Sequence, residues 1–199
     1  MTRRIVVAIT GASGVIYGIR ALEMLREQPR VEVHLIVSSG GRRTIAAETD
    51  YRLDAVCELA DVVHPDANVG ASIASGSFRT DGMLVAPCSI KTLSAIANCY
   101  ADNLVSRAAD VTLKERRRLV LLFRETPLHV GHIRLMLQAA EAGAVLMPPV
   151  PAFYQRPHTI QQLVDQTVGR ALDQLGVANE YVFRWSGMAE AARSSVGDE

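Results

Sequence analysis

The chain has 199 residues, 49% of them hydrophobic and 21% charged. That suffices for one domain with a full core and is too apolar for a disordered segment. Lysine plus arginine equals aspartate plus glutamate, 21 each, which excludes a bulk electrostatic hold on nucleic acid or a polybasic membrane contact. An anionic ligand must therefore be held by a local cluster of cations. Cys57, Cys88 and Cys99 are odd in number and match no zinc spacing, which points to a reducing, cytoplasmic compartment. No apolar stretch is long enough for a membrane span.

Ile5 to Ile9 is a short β-branched run that passes straight into Gly11-Ala12-Ser13-Gly14. It is too short for a secretory leader and reads as a first strand buried on both faces. Ile16, Ile19, Leu22, Met24 and Leu25 recur at helical spacing up to Pro29. Val31 to Val37 reads as the second strand, Ser38 to Gly41 as the second turn, and Arg42 to Glu48 as a helix. Leu53 to Leu59 reads as helical, Asp61 to His64 as a short strand, and Ala74 to Ser77 as a loop of small residues that lets a ligand approach the backbone. Met83 to Ala86 is a strand stopped by Pro87. Helical patterns follow over Ile90 to Cys99 and Leu104 to Arg117. Leu119 to Phe123 is a buried strand, Val130 to Ala142 a helix, and Ala144 to Met147 the last core strand. After the rigid Pro148-to-Pro151 connector, a helix capped by Thr159 runs to Leu175.

Strands alternating with helices predict an α/β fold: a doubly wound, flavodoxin-like or Rossmann-like parallel sheet with helices on both faces. Residues 1–186 read as one domain and 187–199 as a polar, flexible tail. In such a sheet, ligands sit at the edge formed by the strand C-termini. The turns at Gly11, Ser38, Pro87 and Arg124 all follow a strand directly.

Gly11 to Gly14 lies between a strand and a helix, where unpaired N–H groups meet an anion. The dinucleotide spacing G-x-G-x-x-G is absent. Two readings stand level: a phosphate turn, or a plain turn with Ser13 as helix cap. Ser89 and Thr92 place two hydroxyls at another helix start, where Ser89 is also a natural cap. Cys88 reads as a buried thiol and not a nucleophile. Arg107 and Lys114 are seven apart on one helix face, the usual sign of a solvated, salt-bridged face. The Arg124-Glu125 pair ends an apolar strand at the active edge, where a charged pair needs a task or a partner. His129 and His132 form half a metal site without a third ligand, so no metal is expected.

These residues fall into ordered motifs: T-G-A-S-G at Thr10, E-T-D at Glu48, A-S-G-S at Ala74, P-C-S-I-K-T at Pro87, R-A-A-D-V-T-L-K-E-R-R at Arg107, R-E-T-P at Arg124 and P-P-V-P-A-F-Y at Pro148. Through them the chain, from Ile5 to Trp185, resembles the UbiX-type flavin prenyltransferases, within the superfamily of homo-oligomeric flavin-containing cysteine decarboxylases. The resemblance implies FMN bound between subunits, commonly of a dodecamer. It implies metal-independent transfer of a dimethylallyl group from dimethylallyl monophosphate to N5 and C6 of reduced FMN. The prenylated FMN then serves a UbiD-type decarboxylase, as in ubiquinone biosynthesis or aromatic acid decarboxylation.

Carried over residue by residue, Gly11, Ala12, Ser13, Ser38, Ser89, Ile90, Lys91, Thr92 and Arg124 match the family's FMN contacts. Tyr154 and Arg170 match its dimethylallyl-phosphate contacts, with Lys114 and Arg107 beside them. Glu125 matches the acid next to the leaving phosphate, and Ser13 and Glu48 a proton relay. Two other functions compete. A flavin-dependent cysteine decarboxylase would carry an active histidine, which the reading does not find after the first helix, and a P-A-S-A-N-T-like segment where this chain has Pro87 to Thr92. A non-catalytic FMN carrier, or an assembly partner of the decarboxylase, would need no Arg124-Glu125 pair.

Overall fold

A computed structural model describes residues 2–185 and 187; the remainder of the expected tail, 188–199, lies outside the described residues. The first strand, β1 (Arg3–Ile9), runs directly into the glycine turn and helix α1 (Val15–Arg26). Next come β2 (Val31–Val37), α2 (Ser39–Glu48), the short α3 (Leu53–Cys57) and β3 (Val62–His64). A 3-10 turn at Ser72–Ala74 precedes β4 (Gly82–Cys88), α4 (Ile90–Ala97), α5 (Leu104–Lys114) and β5 (Arg118–Phe123). The chain closes with α6 (Val130–Glu141), β6 (Val145–Leu146) and α7 (Ile160–Gln174). The strands form one sheet in the order β3-β2-β1-β4-β5-β6, and every pairing is parallel. The order reverses between β1 and β4, which makes their C-terminal ends the switch point of a doubly wound sheet.

Alternation along the strands divides the core in two. Ile5, Val7 and Ile9 face one way and pack with α1 and with Val164, Val168 and Leu172 of α7. Val6 and Ala8 face the other way, toward α4, α5 and Ala139 of α6. Helices α5 and α7 therefore lie on opposite faces of the sheet.

Several boundaries differ from the sequence reading. The expected turn at Ser38 to Gly41 is largely helix: Ser38 caps α2 by accepting the Gly41 N–H at 3.0 Å, so the helix starts at Ser39. Pro87 does not stop its strand. The ladder shifts register between Val85 and Cys88 and then resumes as Cys88 opposite Phe123, so the proline occupies an irregularity that requires no N–H. The last strand shrinks to two half-buried residues, Val145–Leu146. Thr159 does cap α7, in a capping box with Gln162.

One side chain fastens the two strand ends at the switch point. Thr10, 1% exposed, donates its hydroxyl to the Pro87 carbonyl at 2.7 Å and accepts the Ser89 N–H at 2.9 Å. Its own N–H reaches the same carbonyl at 3.3 Å. Thr10→Val keeps the shape and removes both hydroxyl bonds. It should cost about 1–3 kcal/mol of stability by leaving polar groups unpaired. Denaturant unfolding measures this, and an unchanged midpoint and slope would contradict it.

Candidate functional site at the switch-point edge

Four chain segments meet where β1, β2, β4 and β5 end. The first is the glycine turn. Gly14 occupies the left-handed region at φ 97° and starts α1 with no side-chain cap. Only glycine takes that conformation freely. Ser13 is therefore not the helix cap that one reading allowed; its side chain is exposed and makes no cap bond. The Gly14 N–H is taken instead by a carboxylate oxygen of Glu48 at 2.8 Å. Glu48 thus sits against the turn that carries Ser13. In E-T-D it is Glu48 that reaches this turn.

The second segment is the start of α2, where Ser38 and Gly40 line the same edge. The third is the start of α4. The Ser89 hydroxyl accepts the Thr92 N–H at 3.3 Å and lies 3.1 Å from the Thr92 hydroxyl. Ser89 is thus the helix cap that the sequence allows, and the Ser89 and Thr92 hydroxyls lie together at the helix mouth. The N–H groups of Ile90 and Lys91 take no acceptor among the described residues, which leaves the positive end of α4 open to an anion. Lys91 itself is exposed and pairs with Asp102 at 3.7 Å.

The fourth segment is Arg124-Glu125. The Arg124 N–H donates to the Cys88 carbonyl at 3.2 Å, which places the pair next to Ser89. Arg124 is exposed and Glu125 half-buried. Tyr17, missed by the sequence reading, sits behind this edge on the first turn of α1. Burial pushes its phenol above the ordinary range, and the positive charge of Arg124 pulls part of the way back. Cys88 is fully buried and burial pushes its thiol far up, so it stays protonated and is no nucleophile.

The expected substrate residues lie elsewhere on the chain. Lys114 ends α5 and pairs with Glu115 at 2.8 Å, close to Gly76. Arg107 holds the Ala74 carbonyl at 3.2 Å and Asp110 at 2.9 Å. Arg117 holds the Gly76 carbonyl at 2.7 Å, so the small-residue loop is strapped along α5. Tyr154 and Arg170 belong to the α7 side, on the other face of the sheet. A strand of six residues, on the order of 20 Å, separates Lys114 from Arg124. One chain therefore brings the flavin-type residues together but leaves the phosphate-type residues on two further surfaces.

His129 uses Nδ1 to cap α6 by accepting the Gly131 N–H at 3.0 Å, and its ring stacks on His132 at 3.7 Å between centroids. Among the described residues no group of three His, Cys, Asp or Glu converges to hold a metal. The expectation that no histidine follows the first helix needs correction: His34 lies on β2. It is only 2% exposed, bonded to His64 and Glu32 at 2.9 Å each, and faces the sheet interior instead of the ligand edge.

Comparison with known proteins decides the family. The Flavoprotein family model matches residues 1–171. The flavin prenyltransferase UbiX of Escherichia coli K12 is 55% identical over 187 residues, covering 93% of this chain and 99% of its own. The chain belongs to the flavoprotein family, with the UbiX flavin prenyltransferases. The UbiX of Thauera aromatica is 58% identical, covering 94% of this chain and 96% of its own. Among solved structures, AnUbiX in complex with FMN and dimethylallyl pyrophosphate superposes with a TM-score of 0.91 at 51% identity, covering 94% of this chain and 100% of its own. A dodecameric FMN-dependent UbiX-like decarboxylase from Escherichia coli O157:H7 gives 0.90 at 49% identity, covering 92% and 100%.

The burial of Cys88 has a direct consequence. A thiol-alkylating reagent should label exposed Cys99 in the native protein and leave Cys88 unmodified until denaturant is added. Mass mapping of the labelled peptides checks this; rapid native labelling of Cys88 would contradict the assigned burial.

Proposed function

We propose that this chain is a metal-independent flavin prenyltransferase, transferring the dimethylallyl group of dimethylallyl monophosphate to N5 and C6 of reduced FMN with release of phosphate. Its product is the prenylated FMN used by a UbiD-type decarboxylase. One observation carries the reading: the consecutive residues Arg124 and half-buried Glu125 leave β5 at the edge where the Arg124 N–H meets the Cys88 carbonyl, next to the open N-terminus of α4. A flavin carrier needs the helix N-terminus, but it gains nothing from a half-buried carboxyl placed one residue after the arginine at that edge. The family's names and the pairing of FMN with dimethylallyl pyrophosphate in AnUbiX support a flavin prenyltransferase.

The residues present suit FMN. The hydroxyls of Ser38, Ser89 and Thr92, the N–H groups of Ile90 and Lys91 and the Arg124 guanidinium offer neutral and charged donors to a phosphate monoester. Gly11, Ala12 and Ser13 provide a floor without bulk for a flat ring. Reduced flavin, when bound, supplies the nucleophilic centres to which the five-carbon unit is joined. Arg124 with Arg170, Lys114 and the Tyr154 hydroxyl stabilises the charge that develops on the departing phosphate. Arg107 holds the loop against which Lys114 is set. The Glu125 carboxyl gives a proton to the phosphate oxygen as it leaves. Ser13 and Glu48, on either side of the Gly14 turn, move the proton lost from the acceptor.

Arg124, Lys114 and Arg170 stand on separate surfaces of one chain, so the complete site takes shape where copies meet. The exposed apolar residues Val130, Ile133 and Leu137 along α6 provide further area for that assembly, in a dodecamer like the one named for the Escherichia coli O157:H7 protein. The unpaired cysteines support a cytoplasmic setting, and no described helix is long and apolar enough to cross a membrane. Residues 1–186 act as one flavin-binding unit.

Anaerobic incubation of the protein with reduced FMN and dimethylallyl monophosphate should yield a flavin heavier by one C5 unit in mass spectrometry, with Glu125→Gln retaining FMN and slowing transfer about a hundredfold. A flavin of unchanged mass would overturn the enzyme reading, and loss of FMN from Glu125→Gln would make Glu125 a binding residue.

A further inference from the structure

The side chain of Gln166, on the inner part of α7, is 3% exposed. Neither composition nor the motifs single it out. Its Oε1 accepts the Phe183 N–H at 2.8 Å. Its Nε2 donates to the Tyr154 hydroxyl oxygen at 2.7 Å, with a longer approach of 3.4 Å to the Phe183 carbonyl. The amide therefore joins two segments that flank α7: the connector that carries Tyr154 and the C-terminal strap around Phe183.

The orientation of that amide follows from its partners. A backbone N–H can only donate, so the group facing Phe183 N must be the oxygen. The NH2 then faces Tyr154. A phenol oxygen that receives this bond cannot also send its proton along the same line. The hydroxyl proton of Tyr154 must turn to the opposite side, where the residue is 49% exposed. A flipped amide would set NH2 against N–H at Phe183 and let the tyrosine spend its proton on the glutamine.

The surroundings fit an anion on that open side. Arg170 is one turn beyond Gln166 on the same face of α7. Arg170 and Arg184 share Asp173, at 2.9 and 3.1 Å. Burial alone would raise the Asp173 carboxyl, but the bonds from Arg184 and Arg170 prevail and hold it below its usual range. Two guanidiniums on one carboxylate carry a net positive charge on the C-terminal half of α7, the helix that holds Gln166.

We infer that Gln166 is a positioning residue for the transfer, fixing the Tyr154 hydroxyl as a donor aimed at the leaving phosphate and tying it to the C-terminal strap. This rests on the reading above that Tyr154 meets the substrate phosphate. Gln166→Glu tests it, because a carboxylate accepts from Phe183 N–H and from Tyr154 O–H alike and so turns the tyrosine proton inward at nearly constant shape.

The experiment measures single-turnover transfer in the full oligomer loaded with reduced FMN, at saturating dimethylallyl monophosphate, with FMN affinity as the second readout. Gln166→Glu should keep FMN affinity and slow transfer about ten- to a hundredfold, the range set by one hydrogen bond to a charged group. Tyr154→Phe should lose a similar factor, and the double variant should lose no more than the slower single one. A wild-type rate for Gln166→Glu, or losses that multiply in the double variant, would overturn the inference while leaving Tyr154 in its place. A wild-type rate for Tyr154→Phe would overturn the reading of Tyr154 and this inference with it. If Gln166→Glu sheds FMN, Gln166→Asn decides: too short to reach Tyr154, it should match the loss of Tyr154→Phe, and a wild-type rate would count against the role.

Discussion

The site depends on how the Thr10 hydroxyl spans the ends of β1 and β4. A parallel sheet needs no such bond to hold its strands, since the ladder does that. What the ladder does not set is the relative position of the two turns that leave it. By donating to Pro87 O and accepting from Ser89 N, Thr10 fixes the glycine turn against the mouth of α4. Arg124 joins them through its N–H on Cys88 O. Three βα turns thereby become one rigid edge, and each is an anion-facing helix start or a strand end. Preorganisation of this kind lets weak individual donors act together on a phosphate or a developing charge.

The second constraint is topological. Strand alternation sends α5 to one face of the sheet and α7 to the other. Lys114 and Arg170 cannot approach one another within a chain by any side-chain movement. Arg124, Tyr154 and Lys114 are exposed in the single chain, which costs little because water solvates them. On the proposed function, assembly and binding desolvate these groups and strengthen their charges. On the proposed function, a chain with no net charge holds two phosphate-bearing ligands because copies of the chain bring their cations together.

Much of this was legible in the sequence. β-Branched runs ending in Gly11, Ser38, Pro87 and Arg124 mark strands whose C-terminal ends carry the ligand edge, and the structure keeps that arrangement. What remained illegible depended on partners far away in the chain. Whether Ser13 caps α1 was open until Glu48 was seen taking the Gly14 N–H. The glycines at 40 and 41 read as turn, yet the Ser38 cap draws them into α2. Pro87 read as a stop because the register shift that accommodates it belongs to the pairing with β5. Gln166 gave no signal of its own, and Thr10 only as the first letter of a motif: a buried threonine or glutamine gains its task from the carbonyl, N–H or phenol opposite it. His34 was overlooked for the converse reason, since a histidine in a strand says nothing of which face it takes.

The central claim is that the catalytic surface is divided among copies of one chain. It is tested by mixing two inactive variants, Arg124→Ala at the switch-point edge and Arg170→Ala on α7, under conditions that exchange subunits. Mixed oligomers should regain prenyl transfer at a fraction of the wild-type rate set by the statistics of pairing, while each variant alone stays inactive. Mixtures as inactive as their components, after subunit exchange is verified by mass, would contradict the account.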